Sequence, residues 1–207
     1  HSDAVHSARI DEHTGYLLVT TWSTAAEPGP GAVAALRDMH DVDRLIIDVR
    51  PNAGGDELQA RMLAACFVTE PVVYAKNTNI DPDRPGEFLG PYDRVLPPAP
   101  ASDRFGGQVV VLMGARCMCS NEAFLLMMRA AGATLVGQRS FGASGNPRPY
   151  DLGQGVPVTL PSWRAMTAQA DPAEGVHIDS YTALEQAPPQ RRRGAPVHAP
   201  CLASTAL

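Results

Sequence analysis

The chain has 207 residues, 44% of them hydrophobic, and a formal charge of −5. That length and apolar content suffice to bury a core of normal size in one domain, with or without an appendage. The acidic balance lacks the concentrated basic face that a nucleic-acid or membrane-surface partner needs. No run approaches the roughly 20 apolar residues of a spanning helix, and residues 1–9 lack the apolar centre of a signal peptide.

In chain order, residues 15–22 predict a strand, being apolar and β-branched after a polar turn. Pro28, Gly29, Pro30 and Gly31 are expected to break the chain before a helix over 32–40, with Val33, Leu36 and Met39 on one face. Residues 44–49 form a continuous apolar run, as in strands buried on both faces. A second helix is expected over 57–67, then a short strand at 72–74. From Asn77 to Asp103 abundant proline and weak periodicity mark a long surface loop or lid. Residues 108–113 read as a buried strand and 121–131 as a strongly apolar helix that begins directly after Cys119-Ser120. Residues 133–137 read as a further strand and 156–160 as part of a hairpin. The Pro/Arg-rich stretch 182–207, with Arg191-Arg192-Arg193, is expected to be a solvated, flexible tail on a catalytic core spanning 1–181. Strands alternating with helices give an α/β domain with a substantially parallel sheet, whose chemistry belongs at strand ends and helix N-termini.

The cysteines at 66, 117, 119 and 201 lack metal-ligand spacing and form no obvious disulfide framework. Cys66, in an apolar helical setting, reads as a small core residue. Cys119 differs, because the first turn of a helix supplies a positive dipole end and backbone N–H groups that lower a thiol pKa and offer an oxyanion donor.

Four segments in fixed order carry a resemblance. Asp48-Val49-Arg50-Pro51-Asn52-Ala53-Gly54-Gly55 resembles a strand end of the form Asp-x-Arg-x-Asn-x-Gly-Gly. Cys119-Ser120-Asn121-Glu122 resembles Ser-x-x-Glu at a helix start, and Leu135-Val136-Gly137-Gln138-Arg139-Ser140-Phe141-Gly142 resembles Leu-Val-Gly-x-x-Thr-x-Gly. Glu174-Gly175-Val176-His177-Ile178-Asp179 is similar to a closing Glu-Gly-x-Gly-Ile-x-Pro-Asp. Together they resemble the tail-specific (C-terminal processing) and tricorn-core serine peptidase superfamily over about residues 15–180. The resemblance implies a Clp-protease/crotonase-like spiral core. It also implies an oxyanion hole built from the Ser120 N–H and an N–H of Gly54 or Gly55, where glycine allows close approach. Asp48 and Arg50 read instead as shaping the loop through an ion pair or cap.

The match departs from the family at two points. Counting back from Glu122 lands on Cys119, which reads as a natural cysteine nucleophile, as a replacement of the serine, or as a shifted match in which Ser120 is the nucleophile. Tail-specific members place a dyad lysine after the Phe-Gly turn, where this chain has Ala143 and Ser144; Lys76 is its one lysine and lies far from every motif. The tricorn-like branch uses a histidine near the first strand, a second serine and a late glutamate, which Glu174 matches. Leu17 and Leu18 occupy that histidine's position, leaving His13, His177 or a segment upstream of His1 to supply the base. A thiol demands less of its base than a hydroxyl does.

The expected function is hydrolysis of peptide or amide bonds through an acyl-enzyme on Cys119, with Ser120, Glu174, His13 and His177 as the other catalytic candidates. It requires no metal or organic cofactor, and its partner is a peptide or protein substrate. A noncatalytic peptide- or ligand-binding module and an acyl-CoA enzyme of the crotonase type are the alternatives. Substrate identity, oligomeric state and localisation stay open.

Overall fold

The computed structural model describes residues 3–84 and 86–169. The elements run β1 (Val5–Arg9), β2 (Thr14–Val19), α1 (Pro28–Arg37), β3 (Arg44–Asp48), α2 (Glu57–Ala64), β4 (Val72–Ile80) and β5 (Phe88–Leu96). They continue with β6 (Gln108–Met113), α3 (Ser120–Ala130), β7 (Thr134–Gly137), β8 (Pro147–Asp151), β9 (Pro157–Pro161) and β10 (Trp163–Thr167).

The apolar runs lie at the centre of a five-stranded sheet ordered β1-β2-β3-β6-β7. Strands β2, β3, β6 and β7 pair in parallel, with Asp48 opposite Leu112 at the end of the β3/β6 ladder. Only β1 is antiparallel, joined to β2 as a hairpin. The buried positions Leu45, Ile47, Val111, Met113 and Leu135 form the sheet's share of the core. Helix α3 is buried from Ser120 through Met128, which explains a sequence apolar all round rather than on one stripe. It packs against α2 and against β4 of a second, antiparallel sheet ordered β10-β4-β5. Trp22 and Phe124 meet at the centre, ring centroids 4.9 Å apart.

Two expectations are corrected, and one strand is found that the sequence pattern does not announce. Residues 77–103 are not a loop or lid throughout, since β4 and β5 pair across much of this stretch. Proline hid the strand because Gly90-Pro91 falls where the register skips between Asn77/Tyr92 and Asn79/Leu89, the kind of irregularity that tolerates a residue with no N–H. Helix α1 begins at Pro28 and not after Gly31, since the first helical positions have no intrahelical use for an N–H. Strand β1 carries no apolar alternation, only Val5 being buried, so period-2 reading misses it. The expectation of a tail after residue 181 lies outside the described residues.

The second sheet is tied to α2 by a partly buried charge cluster. Glu57, the first residue of α2, pairs with Arg94 of β5 and accepts the hydroxyl of Tyr74 from β4. The Arg94 guanidinium stacks over the Tyr74 and Trp163 rings at 5.1 and 4.8 Å from their centroids. Burial lowers Arg94 to about 10, which leaves it charged at neutral pH. Arg94→Met is expected to cost about 3 kcal/mol because it strands the Glu57 carboxylate. Adding Glu57→Gln is expected to cost less than the sum of the two single changes, as urea unfolding of all three variants will measure.

Candidate active site

Parallel neighbours deliver their following turns to the same end of a sheet. Because β3 and β6 are adjacent, the turn before α2 and the turn before α3 lie side by side, and the Gly54-Gly55 pair comes against Cys119. A Cβ built on Gly54 would stand 2.8 Å from the Cys119 Cβ, 2.9 Å from the Met118 carbonyl oxygen and 3.3 Å from the Ser120 nitrogen. Only glycine permits that approach, and its φ of +104° also favours glycine. Gly55, at φ +140°, is pressed as closely against the Trp22 backbone.

Hydrogen bonds fix nearly every polar group of this turn. The Asn52 Oδ1 accepts the Gly54 N–H at 2.8 Å, the Gly54 carbonyl accepts the Trp22 N–H at 2.9 Å, and the Trp22 carbonyl accepts the Asp56 N–H at 2.8 Å. Asp56 then caps α2 through the Leu58 N–H. From α3, the Asn121 Nδ2 donates to the carbonyls of Val49 and Asn52 at 3.3 and 3.0 Å, while its Oδ1 accepts the Trp22 indole N–H at 3.0 Å. Asn52, Asn121 and Trp22 are all fully buried. Two N–H groups are left over: among the described residues neither Gly55 nor Ser120 donates its backbone hydrogen.

Cys119 is the N-cap of α3 and sits in a sharp elbow at φ 57°, ψ −132°, a region costly for a residue with a Cβ and concentrated at functional sites. Its N–H donates to the Ala143 carbonyl at 2.8 Å, so the position expected for a dyad lysine does adjoin Cys119 but presents a methyl group. Glu122 anchors the same turn, accepting the Ser140 hydroxyl at 2.6 Å and the Gly142 N–H at 2.7 Å. Burial pushes the Glu122 carboxyl up, against the opposing pull of those two hydrogen bonds. Burial likewise raises the Cys117 thiol to about 11; its Sγ donates to the Val49 carbonyl, a structural role. Cys119 is disulfide-bonded, whereas Cys66 and Cys117 are free.

The candidates Cys119, Ser120, Gly54 and Gly55 are therefore together. His13 is not with them. It precedes β2, with Nδ1 2.9 Å from Asp43 and its carbonyl accepting the Asp43 and Arg44 N–H groups at the start of β3, so it stands at the opposite end of the parallel strands. Ser120 directs its hydroxyl to the Gly55 carbonyl at 2.7 Å, which commits that oxygen to a structural bond. Glu174 and His177 lie outside the described residues. Asp48 does shape the loop: burial raises its carboxyl, but hydrogen bonds from Arg50 and Tyr16 prevail and hold it below its usual value. Sequence reading assigned no role to Trp22 or Asn121. A polar residue immediately after the nucleophile turn, in an otherwise apolar helix, was the available signal for Asn121.

Two predictions follow from this geometry. Gly54→Ala forces a methyl group into the Cys119 elbow at an unfavourable φ and is expected to lower stability by about 2 kcal/mol in a denaturant melt. Because the Glu122 pKa is raised on folding, the native state holds the additional proton, and stability falls as pH rises from about 4.3 through the elevated native value. Glu122→Gln retains an acceptor for Ser140 and Gly142, so thermal melts across that window should lose this component of the slope.

Known proteins are similar to this chain in sequence family and in fold. The model of peptidase family S41 matches residues 13–181. Comparison with curated protein sequences returns no match. Among solved structures, a putative peptidase from Parabacteroides merdae is similar at 22% identity with a TM-score of 0.76, over 86% of this chain and 57% of that one. The photosystem II D1 C-terminal processing protease is similar at 17% identity and a TM-score of 0.69, over 87% of this chain and 48% of that one. Mature CPAF complexed with lactacystin follows at 15% identity and a TM-score of 0.68, over 84% and 48%. The chain thus spans about half the length of these structural relatives, whose fold it shares in a mixed α/β form with a partly parallel sheet. By the match over most of its length, the chain belongs to peptidase family S41.

Proposed function

We propose that this chain is the catalytic domain of a peptidase-like hydrolase that cleaves peptide or amide bonds through a covalent acyl-enzyme on Cys119, on a Clp-protease/crotonase-like spiral core. The observation that carries the reading is the contact of the Gly54 backbone with the Cys119 elbow, beside two undonated N–H groups, those of Gly55 and Ser120. The repeated passage from parallel strand through turn to helix supports the spiral core.

In the proposed reaction, the Cys119 thiolate attacks the carbonyl carbon and the oxyanion is held by the Ser120 and Gly55 N–H groups. Gly55 is preferred over Gly54 because the Gly54 N–H is already given to Asn52. The dipole of α3 favours the thiolate at its N-cap. His177, oriented by Glu174, is the proposed base: it takes the thiol proton, returns it to the leaving amine, and then activates the water that releases the acyl group. A side chain with the acidity of a thiol suits a site where Ala143 replaces the dyad lysine. Since Cys119 is disulfide-bonded, the competent form is the reduced one. The substrate is a peptide or protein, selected together with whatever else the full-length protein contributes.

Turnover of a fluorogenic peptide library by the reduced protein tests this reading. Cys119→Ala is expected to abolish turnover, His177→Ala to lower it at least about 100-fold, and His13→Ala to leave it within about twofold. Cleavage surviving in Cys119→Ala, or peptide binding with no cleavage in the reduced wild type, would defeat it.

A further inference from the structure

We propose that the Ser120 side chain is a positioning residue that locks the two halves of the oxyanion hole into one unit; this rests on the acyl-enzyme reading above. Ser120 has two separable functions. Its backbone N–H is one proposed donor, and its hydroxyl donates at 2.7 Å to the carbonyl of Gly55, the residue that carries the other donor. The residue is buried, 6% exposed, so water does not compete effectively for that hydrogen bond.

The remaining bonds of the turn hold Gly55 against the Trp22 backbone, and the Ser120 hydroxyl ties that assembly to α3. The Gly54 amide and carbonyl are held by Asn52 and Trp22, and the Asp56 N–H by Trp22. The Gly55 N–H shares a planar peptide unit with the Gly54 carbonyl, and the Gly55 carbonyl shares one with the Asp56 N–H, so Trp22 holds both units that meet at the Gly55 α-carbon. Pinning the Gly55 carbonyl to the first turn of α3 therefore sets the position of this turn, and of the Gly55 N–H it carries, relative to the Ser120 N–H. Oxyanion stabilisation depends steeply on that position, since donors must meet the oxygen at about 2.7–3.1 Å.

The role differs from that of a nucleophile and from that of general structural support, and the chemistry of Cys119 separates them. Alkylation by iodoacetamide forms a C–S bond with loss of iodide and generates no oxyanion. Acylation by 4-nitrophenyl acetate forms a thioester through a tetrahedral oxyanion and expels 4-nitrophenolate. Both are to be followed at Cys119 of the reduced protein, by peptide mapping and by the 4-nitrophenolate burst, in wild type, Ser120→Ala and Ser120→Thr. We expect Ser120→Ala to acylate about tenfold more slowly, a fraction of the 10²–10³ lost when an oxyanion donor is removed outright. Its alkylation rate should stay within about twofold, and Ser120→Thr, which keeps the hydroxyl, should recover acylation at least in part. Acylation of Ser120→Ala at the wild-type rate would overturn the inference. So would a parallel fall in alkylation and acylation, which would assign the hydroxyl to the stability of the whole elbow. If wild-type Cys119 is alkylated but never acylated, the acyl-enzyme reading fails first and takes this inference with it.

Discussion

The adjacency of two parallel strands is the constraint on which everything else in this molecule rests. With β3 and β6 paired in register up to Asp48 and Leu112, the chain must leave both at the same end, and two turns compete for one small volume. Side chains at the contact would force them apart. The pairing is compatible with a close approach only because one turn offers Gly54 where the other offers a sharp elbow at Cys119.

What keeps the turns together is polar rather than apolar. Asn121 reaches back from α3 to two carbonyls of the β3 exit, Val49 and Asn52, and receives the Trp22 indole on its other side. A buried amide with each of these groups satisfied stabilises one arrangement sharply, since any shift leaves donors or acceptors without water. Glu122 performs the matching task on the far side of the elbow, holding residues 140–142. The residues flanking the proposed nucleophile in sequence are thus the ones that fix its surroundings in space.

Much of this could be read from the residues alone, and the exceptions have physical causes. The continuous apolar runs at 44–49 and 108–113 announce strands covered on both faces, and the order of the glycine pair and the Cys-x-x-Glu segment announces their meeting. The β4/β5 hairpin was obscured because proline is a breaker in the local code, whereas Pro91 occupies an irregularity in the ladder that makes no demand for its N–H. His13 was drawn in by its nearness in sequence to the first strand of the parallel set, yet a residue at the start of such a strand is removed from the other end by the strand's whole length. Gly54 and Gly55 could not be told apart by sequence; only the use of the Gly54 N–H by Asn52 separates them.

The placement of the aromatic residues has an optical consequence. The chain has two tryptophans, and they occupy unlike surroundings. Trp22 lies in the fully buried centre, hydrogen-bonded to Asn121 and inclined against Phe124, while Trp163 lies beneath a guanidinium in the second sheet. Emission from the first indole therefore monitors the hydrogen-bonded seam between the two turns, and emission from the second monitors the attachment of the antiparallel sheet, so fluorescence distinguishes loosening in one half of the molecule from loosening in the other.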